Sequence, residues 1–101
     1  MKLENKFACE NDMLKIRCSH ESVLEIINAE FGRLLKDVCP VEKPTKSCSI
    51  MQNHDDVVKK NCNGRQVCPM VVSTDVFGDP CPGVTKYMSV IYACGRLHFN
   101  H

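Results

Sequence analysis

Apolar and polar positions alternate in the first clear segment, Met13 to Cys18. Leu14, Ile16 and Cys18 fall on one side, and Met13, Lys15 and Arg17 on the other. A period of two marks a strand with one buried face. Ser19 to Ser22 reads as a turn. Val23 to Ala29 is apolar on both sides, with Leu24 and Ile26 opposite Val23 and Ile27, which predicts a more central strand. From Arg33 to Gln52 the pattern is irregular and Pro40 and Pro44 break it, so a loop is expected. His54 to Asn61 predicts a short helix. Asn53 is placed to cap it, Asp55 and Asp56 to meet the positive end of its dipole, and Lys59 and Lys60 the negative end. Gly64 is placed to terminate it. Val67 to Ser73 predicts another strand, which Pro69 assigns to an edge or a bulge. Phe77 to Gly83 is a turn-rich loop. Lys86 to Cys94 closes the chain as a strand, with Met88, Val90, Tyr92 and Cys94 on one face. These elements describe an α+β domain of four or five antiparallel strands with one or two short helices. The domain spans residues 8–95, with residues 1–7 and 96–101 as tails.

Composition narrows the class. The chain has 101 residues and a net charge of +1. That length suits one domain. Near-neutrality gives no electrostatic footprint for nucleic acid. No run of about 18 apolar residues is present to insert into a membrane as a helix. The eight cysteines change the picture most. No two of them are separated by only two residues, the close pairing that a zinc knuckle or a thioredoxin-type site needs. Four disulfides are expected instead, and with them an extracellular or secretory compartment. Spacing leaves on the order of 100 pairings open. The start, Met1 to Lys6, has no apolar signal-peptide core, so the chain reads as a mature domain or a piece of a longer one. His20, His54, His98 and His101 have no metal-ligand spacing and are expected to be exposed. Neither a metal nor another cofactor is expected.

Three segments carry more specific information. They are Ala8-Cys9-Glu10 followed by Leu14-x-Ile16-x-Cys18, then Ala29-Glu30-Phe31-Gly32-Arg33, then Val76-Phe77-Gly78-Asp79-Pro80-Cys81-Pro82-Gly83-Val84-Thr85-Lys86-Tyr87-Met88 running on to Tyr92-x-Cys94. In this order and spacing they resemble the galactose/rhamnose-binding lectin domain of the sea-urchin-egg-lectin type. That module also occurs in fish-egg lectins, in latrophilin-type adhesion receptors and at the C-termini of plant β-galactosidases. The resemblance covers nearly the whole chain and all eight cysteines. It implies two antiparallel sheets with helices, and the pairs Cys9 with Cys39, Cys18 with Cys94, Cys48 with Cys81 and Cys62 with Cys68. It also implies calcium-independent sugar binding in a pocket that maps onto Glu10, Phe31, Asp79, Gly83 and Lys86.

The chemistry of those residue types suits a monosaccharide, whose vicinal hydroxyls each donate and accept. A carboxylate such as Glu10 accepts from two adjacent hydroxyls, and an ammonium such as Lys86 donates. Gly83 lets backbone approach closely. Opposite charge is expected to hold Glu10 and Lys86 together. Asp79, before Pro80, suits either a ligand or a turn cap. Arg33 is expected to pair with an acid or with carbonyls, and Tyr87 to pack in the core. Phe31 stands where the family has Tyr, Asn11 where Gly is common, and Val84 where Thr is usual. The chain has no Trp to stack on a sugar face. The function expected is noncatalytic binding of galactose or rhamnose-like glycans. Alternatives are a protein–protein adhesion module on the same fold, or sulfated-glycan binding through Lys59, Lys60 and Arg65.

Overall fold

The structure, a computed structural model, describes residues 2–35, 38–39 and 48–96. Six strands and two helices run in the order β1 (Leu3–Cys9), β2 (Met13–Arg17), β3 (Ser22–Arg33), β4 (Ile50–Asn53), α1 (Asp55–Cys62), β5 (Val67–Val71), α2 (Thr74–Phe77) and β6 (Tyr87–Arg96). All strand pairs are antiparallel. A four-stranded sheet has the order β1-β6-β3-β4, and β2 pairs with β5 in a second, two-stranded sheet. The core lies between them. Leu14 and Ile16 come from the small sheet, Leu24, Ile26, Ala29, Phe31, Met88, Val90 and Tyr92 from the large one, and Val58 and Phe77 from the helices.

Strand β3 does not keep one face throughout. Leu24 and Ile26 point into the core, Ile27 is exposed, and the buried set resumes at Ala29 and Phe31. The step of three is a β-bulge between Ile26 and Asn28, where the extra residue resets the register against β6. The expectation of a strand apolar on both faces therefore gives way to one buried face that changes parity.

Short β4 covers only Glu30 to Arg33 of the outer edge of β3. The rest of that edge is closed by the ends of α1. The Ile26 N–H donates to Asn63 Oδ1 at 2.7 Å and the Ala29 N–H to Asp55 Oδ1 at 2.7 Å. Leu24 donates to the Arg65 carbonyl at 2.7 Å, and His54 to that of Ala29 at 2.8 Å. Unpaired backbone groups in such a place would cost stability. The Ala29 N–H, as the first cause, holds the Asp55 carboxyl below the usual carboxylate range. His54 occupies the N-cap position, while Asn53, one residue earlier, accepts from the Asp55 N–H at 3.0 Å.

Several expectations are corrected here. Residues 3–7, read as a tail, form most of β1. The exposed charges Glu4 and Lys6 within it, with Lys2 just before it, are the pattern of an edge strand guarded by charge. Ile50 to Gln52, read within a loop, form β4 together with Asn53, and the strand count rises to six. Gly32 explains how β4 fits: a Cβ there would lie 2.1 Å from the Ile50 carbonyl oxygen, so only glycine lets the strands approach. His54, expected to be exposed, is half-buried, with its ring edge-on to Phe77 at 5.0 Å. His98 and His101 lie outside the described residues. All eight cysteines are bonded, as Cys9–Cys39, Cys18–Cys94, Cys48–Cys81 and Cys62–Cys68, the same pairs that the resemblance implies.

Candidate functional site

Two tight turns bring the charged residues together at the end where β1 stops and β6 starts. In the first, the Asp12 N–H donates to the Cys9 carbonyl at 3.0 Å across Glu10 and Asn11. Asn11 has a φ of 75°, the left-handed value that the third position of a type II turn requires and that Asn or Gly supplies. In the second, the Val84 N–H donates to the Cys81 carbonyl at 3.1 Å across Pro82 and Gly83. Gly83 has a φ of 81°, so Pro followed by Gly carries out the same turn chemistry. The Cys9–Cys39 and Cys48–Cys81 disulfides anchor one residue of each turn.

Lys86 is the centre of the arrangement. It is 2% exposed. Its Nζ donates to the carbonyls of Cys81 and Val84, at 3.0 and 2.5 Å. It also lies 3.0 Å from Asp79 Oδ1 and 3.3 Å from Glu10 Oε1. An ammonium has three N–H donors, and four oxygens surround this one. It thus gathers two carboxylates and a loop around its buried ammonium. The Glu10 side chain also accepts from the Lys86 N–H at 2.9 Å, again through Oε1. Asp79 uses Oδ1 twice as well, for the lysine and for the Cys81 N–H at 3.1 Å. Glu10 Oε2 and Asp79 Oδ2 keep their acceptor capacity among the described residues.

These groups line a cleft of about 480 Å³ with Asn11, Gly83, Val84 and Thr85. Glu10, Asp79, Gly83 and Lys86 are brought together from distant positions. Phe31 is not with them. It is fully buried and packs on Phe77 with ring centroids 5.4 Å apart, because the inward parity of β3 after the bulge directs it into the core. Arg33 supports the site from behind. It is 4% exposed, its guanidinium donates to the carbonyls of Thr85 and Cys39, and it lies over the Tyr87 ring at 5.8 Å. Tyr87 is buried and its hydroxyl accepts from the Leu35 N–H at 3.2 Å. Asn11 and Thr85 went unnoticed as lining residues. A signal for Asn11 existed, since Asn directly after a turn-forming Glu suits a positive φ.

Comparison with known proteins follows the same outline. Residues 16–94 match the D-galactoside/L-rhamnose binding SUEL lectin domain. The chain is 35% identical over 99 residues to the D-galactoside-specific lectin of Heliocidaris crassispina, covering 94% of this chain and 93% of that lectin. It is 38% identical over 98 residues to protein eva-1 homolog C of Pan troglodytes, covering 91% of this chain and 22% of that protein. It is 32% identical over 95 residues to adhesion G protein-coupled receptor L1 of Mus musculus, covering 91% of this chain but only 6% of the receptor. The chain thus spans almost all of one relative and a small part of the other two. With two sheets, four disulfides and a match over residues 16–94, it belongs to the D-galactoside/L-rhamnose binding SUEL lectin domain family.

Proposed function

We propose that this domain binds galactose or rhamnose-like glycans in the cleft beside Lys86, outside the cell and without catalysing a reaction. The observation that carries the reading is one buried ammonium shared by two carboxylates, each leaving an oxygen to accept from a hydroxyl. Neighbouring hydroxyls on a sugar ring would donate to Glu10 Oε2 and Asp79 Oδ2. The Gly83 N–H and the Asn11 and Thr85 side chains stand ready for the remaining ring oxygens. Hydrogen bonds to ionised acceptors are roughly twice as strong as neutral ones, which makes a small polar cleft sufficient for a weak single site.

The same geometry supports calcium independence. A calcium-dependent site needs carboxylate oxygens gathered around a divalent ion. Here Lys86 stands between the two carboxylates and supplies the positive charge itself. The absence of catalysis has its own argument. A glycosidase pair needs two carboxyl groups in contrasting environments, one to give a proton and one to attack or to activate water. Glu10 and Asp79 instead share one lysine. The relative named as a D-galactoside-specific lectin supports the sugar class, and the four disulfides support an oxidising compartment.

The test is a titration of the isotope-labelled domain with galactose and rhamnose, with and without a calcium chelator. Amide shifts at Glu10, Asn11, Gly83 and Lys86 that persist in chelator are expected. Unchanged spectra with both sugars would sink the reading and leave the protein-partner alternative, which the relative named as an adhesion receptor supports. Sulfated-glycan binding at Lys59, Lys60 and Arg65 has less support. The two lysines occupy the last turn of α1, and Arg65 donates to the Asn61 carbonyl at 3.3 Å.

A further inference from the structure

A second cleft, of about 400 Å³, opens at the opposite end of β1 and β6. It is lined by Lys2 and Glu4 from the start of β1, Arg17 and Ser19 from the end of β2, and Tyr92 of β6 beside the Cys18–Cys94 disulfide. Glu4 and Tyr92 are directly paired across β1 and β6, so their side chains share a face. Lys86 and Tyr92 are six residues apart on an extended chain, which separates the two clefts by roughly 20 Å.

Two groups in this cleft lack the partners that their chemistry calls for. Tyr92 is 4% exposed, yet its hydroxyl makes no hydrogen bond among the described residues. The oxygen is not sealed in; what accessibility the ring retains opens to the cleft. Buried tyrosine hydroxyls usually find a partner. Burial, and then the nearby Glu4 charge, push the phenol's pKa up, so it remains a proton donor. Arg17 is exposed and its guanidinium has no hydrogen-bond or ion-pair partner among the described residues. The remaining charges are a loose pair: Lys2 Nζ lies 3.7 Å from Glu4 Oε1, with both side chains largely in solvent. Such pairs contribute little and rearrange readily.

We propose that this cleft is a second ligand site, which takes an anionic group carried on a glycan, a carboxylate or a sulfate, through the Arg17 guanidinium and the Tyr92 hydroxyl. The guanidinium fork matches the two oxygens of a carboxylate or sulfate. The phenol at the floor gives a third donor, and Lys2 adds positive charge at the rim. Glu4 opposes an anion, but Lys2 and Arg17 together outweigh it and keep the lining net positive. The site is independent of the sugar cleft beside Lys86, so an acidic glycan that reached both would gain avidity over either alone.

The test is a titration of the labelled domain with trigalacturonate, inorganic sulfate and galactose, followed by amide shifts. Trigalacturonate is expected to shift Glu4, Arg17 to Ser19 and Tyr92, sulfate to shift the same amides more weakly, and galactose to leave them still. Arg17→Gln is expected to weaken trigalacturonate about tenfold, and Tyr92→Phe about threefold, with folding intact because one side chain is exposed and the other loses only its hydroxyl. The proposal fails if trigalacturonate leaves these amides unmoved, if its shifts fall at Lys59 to Arg65 instead, or if Arg17→Gln binds as wild type does. Shifts with sulfate alone would also overturn it, since they would mark a simple anion contact and no glycan site.

Discussion

The loop end around Lys86 and the outer edge of β3 solve similar problems and leave different remainders. At the β3 edge, Asp55 and Asn63 side chains complete a sheet that β4 is too short to finish, and their bonds run inward to backbone N–H groups. At the loop end, Glu10 and Asp79 meet the same kind of need with one oxygen each, leave the other without a hydrogen bond among the described residues, and line a cleft. Both regions use carboxylates to hold backbone. What separates a brace from a site is unused hydrogen-bonding capacity in a concave, accessible place.

The comparison breaks most severely at Lys86. Replacing it with Met leaves two adjacent carboxylates and two carbonyls without their cation. A loss of about 3–5 kcal/mol is expected in denaturant unfolding, together with loss of sugar binding. A retained denaturation midpoint would mean that the ammonium is not the post of the site. Next comes Gly32→Ala, where the added Cβ collides with the Ile50 carbonyl and must push β4 away. An overpacking cost of about 1–3 kcal/mol is expected, read from the melting temperature, with the Glu10 cleft unchanged.

Glu10→Ala sharpens the contrast, because the brace and the ligand contact sit on one side chain. Galactose affinity should fall at least about tenfold, while stability drops by about 1 kcal/mol since Asp79 still pairs with Lys86. An isothermal titration showing wild-type affinity would remove Glu10 from the site. Asp55→Ala tests the other region and should cost about 1 kcal/mol with no change in sugar affinity. The pH dependence carries the sign. The Asp55 carboxyl is held below its ordinary value, so its contribution is present above the usual carboxylate range and is lost as pH falls through the lower, folded-state value. The variant should therefore show a shallower acid limb in stability against pH. His54 acts earlier on the same descent. Burial lowers its pKa, so the unfolded chain takes up the proton first and stability falls as pH drops below the usual imidazole range. The smallest effect is expected at Asn11. Asn11→Gly suits a φ of 75° at least as well and should change stability by no more than about 1 kcal/mol, while removing one side chain from the cleft rim.

Much of this was legible along the chain. The period of two marked β2, which buries one clean face, and the Met88, Val90 and Tyr92 face of β6, while the acidic first turn and basic last turn marked α1, whose N-cap position falls to His54 and not Asn53. β1 and β4 were not legible. One is an edge strand whose side chains stay in solvent, and the other is four residues long, held by a glycine on its neighbour. Phe31 lies in the core, away from the cleft, for a related reason. A single bulge, invisible in the order of residues, reverses which side of β3 faces inward.

Local chemistry was thus written in the order of residues: turns at Asn11 and Gly83, a short helix, and cysteines enough for four cross-links. The resemblance of a few segments added a pocket and a pairing scheme. The fold alone settled what Lys86 does with its charge. Composition tells that an amine and two acids exist. Whether the amine points at solvent or is enclosed by four oxygens depends on loops that meet only when distant parts of the chain pack together.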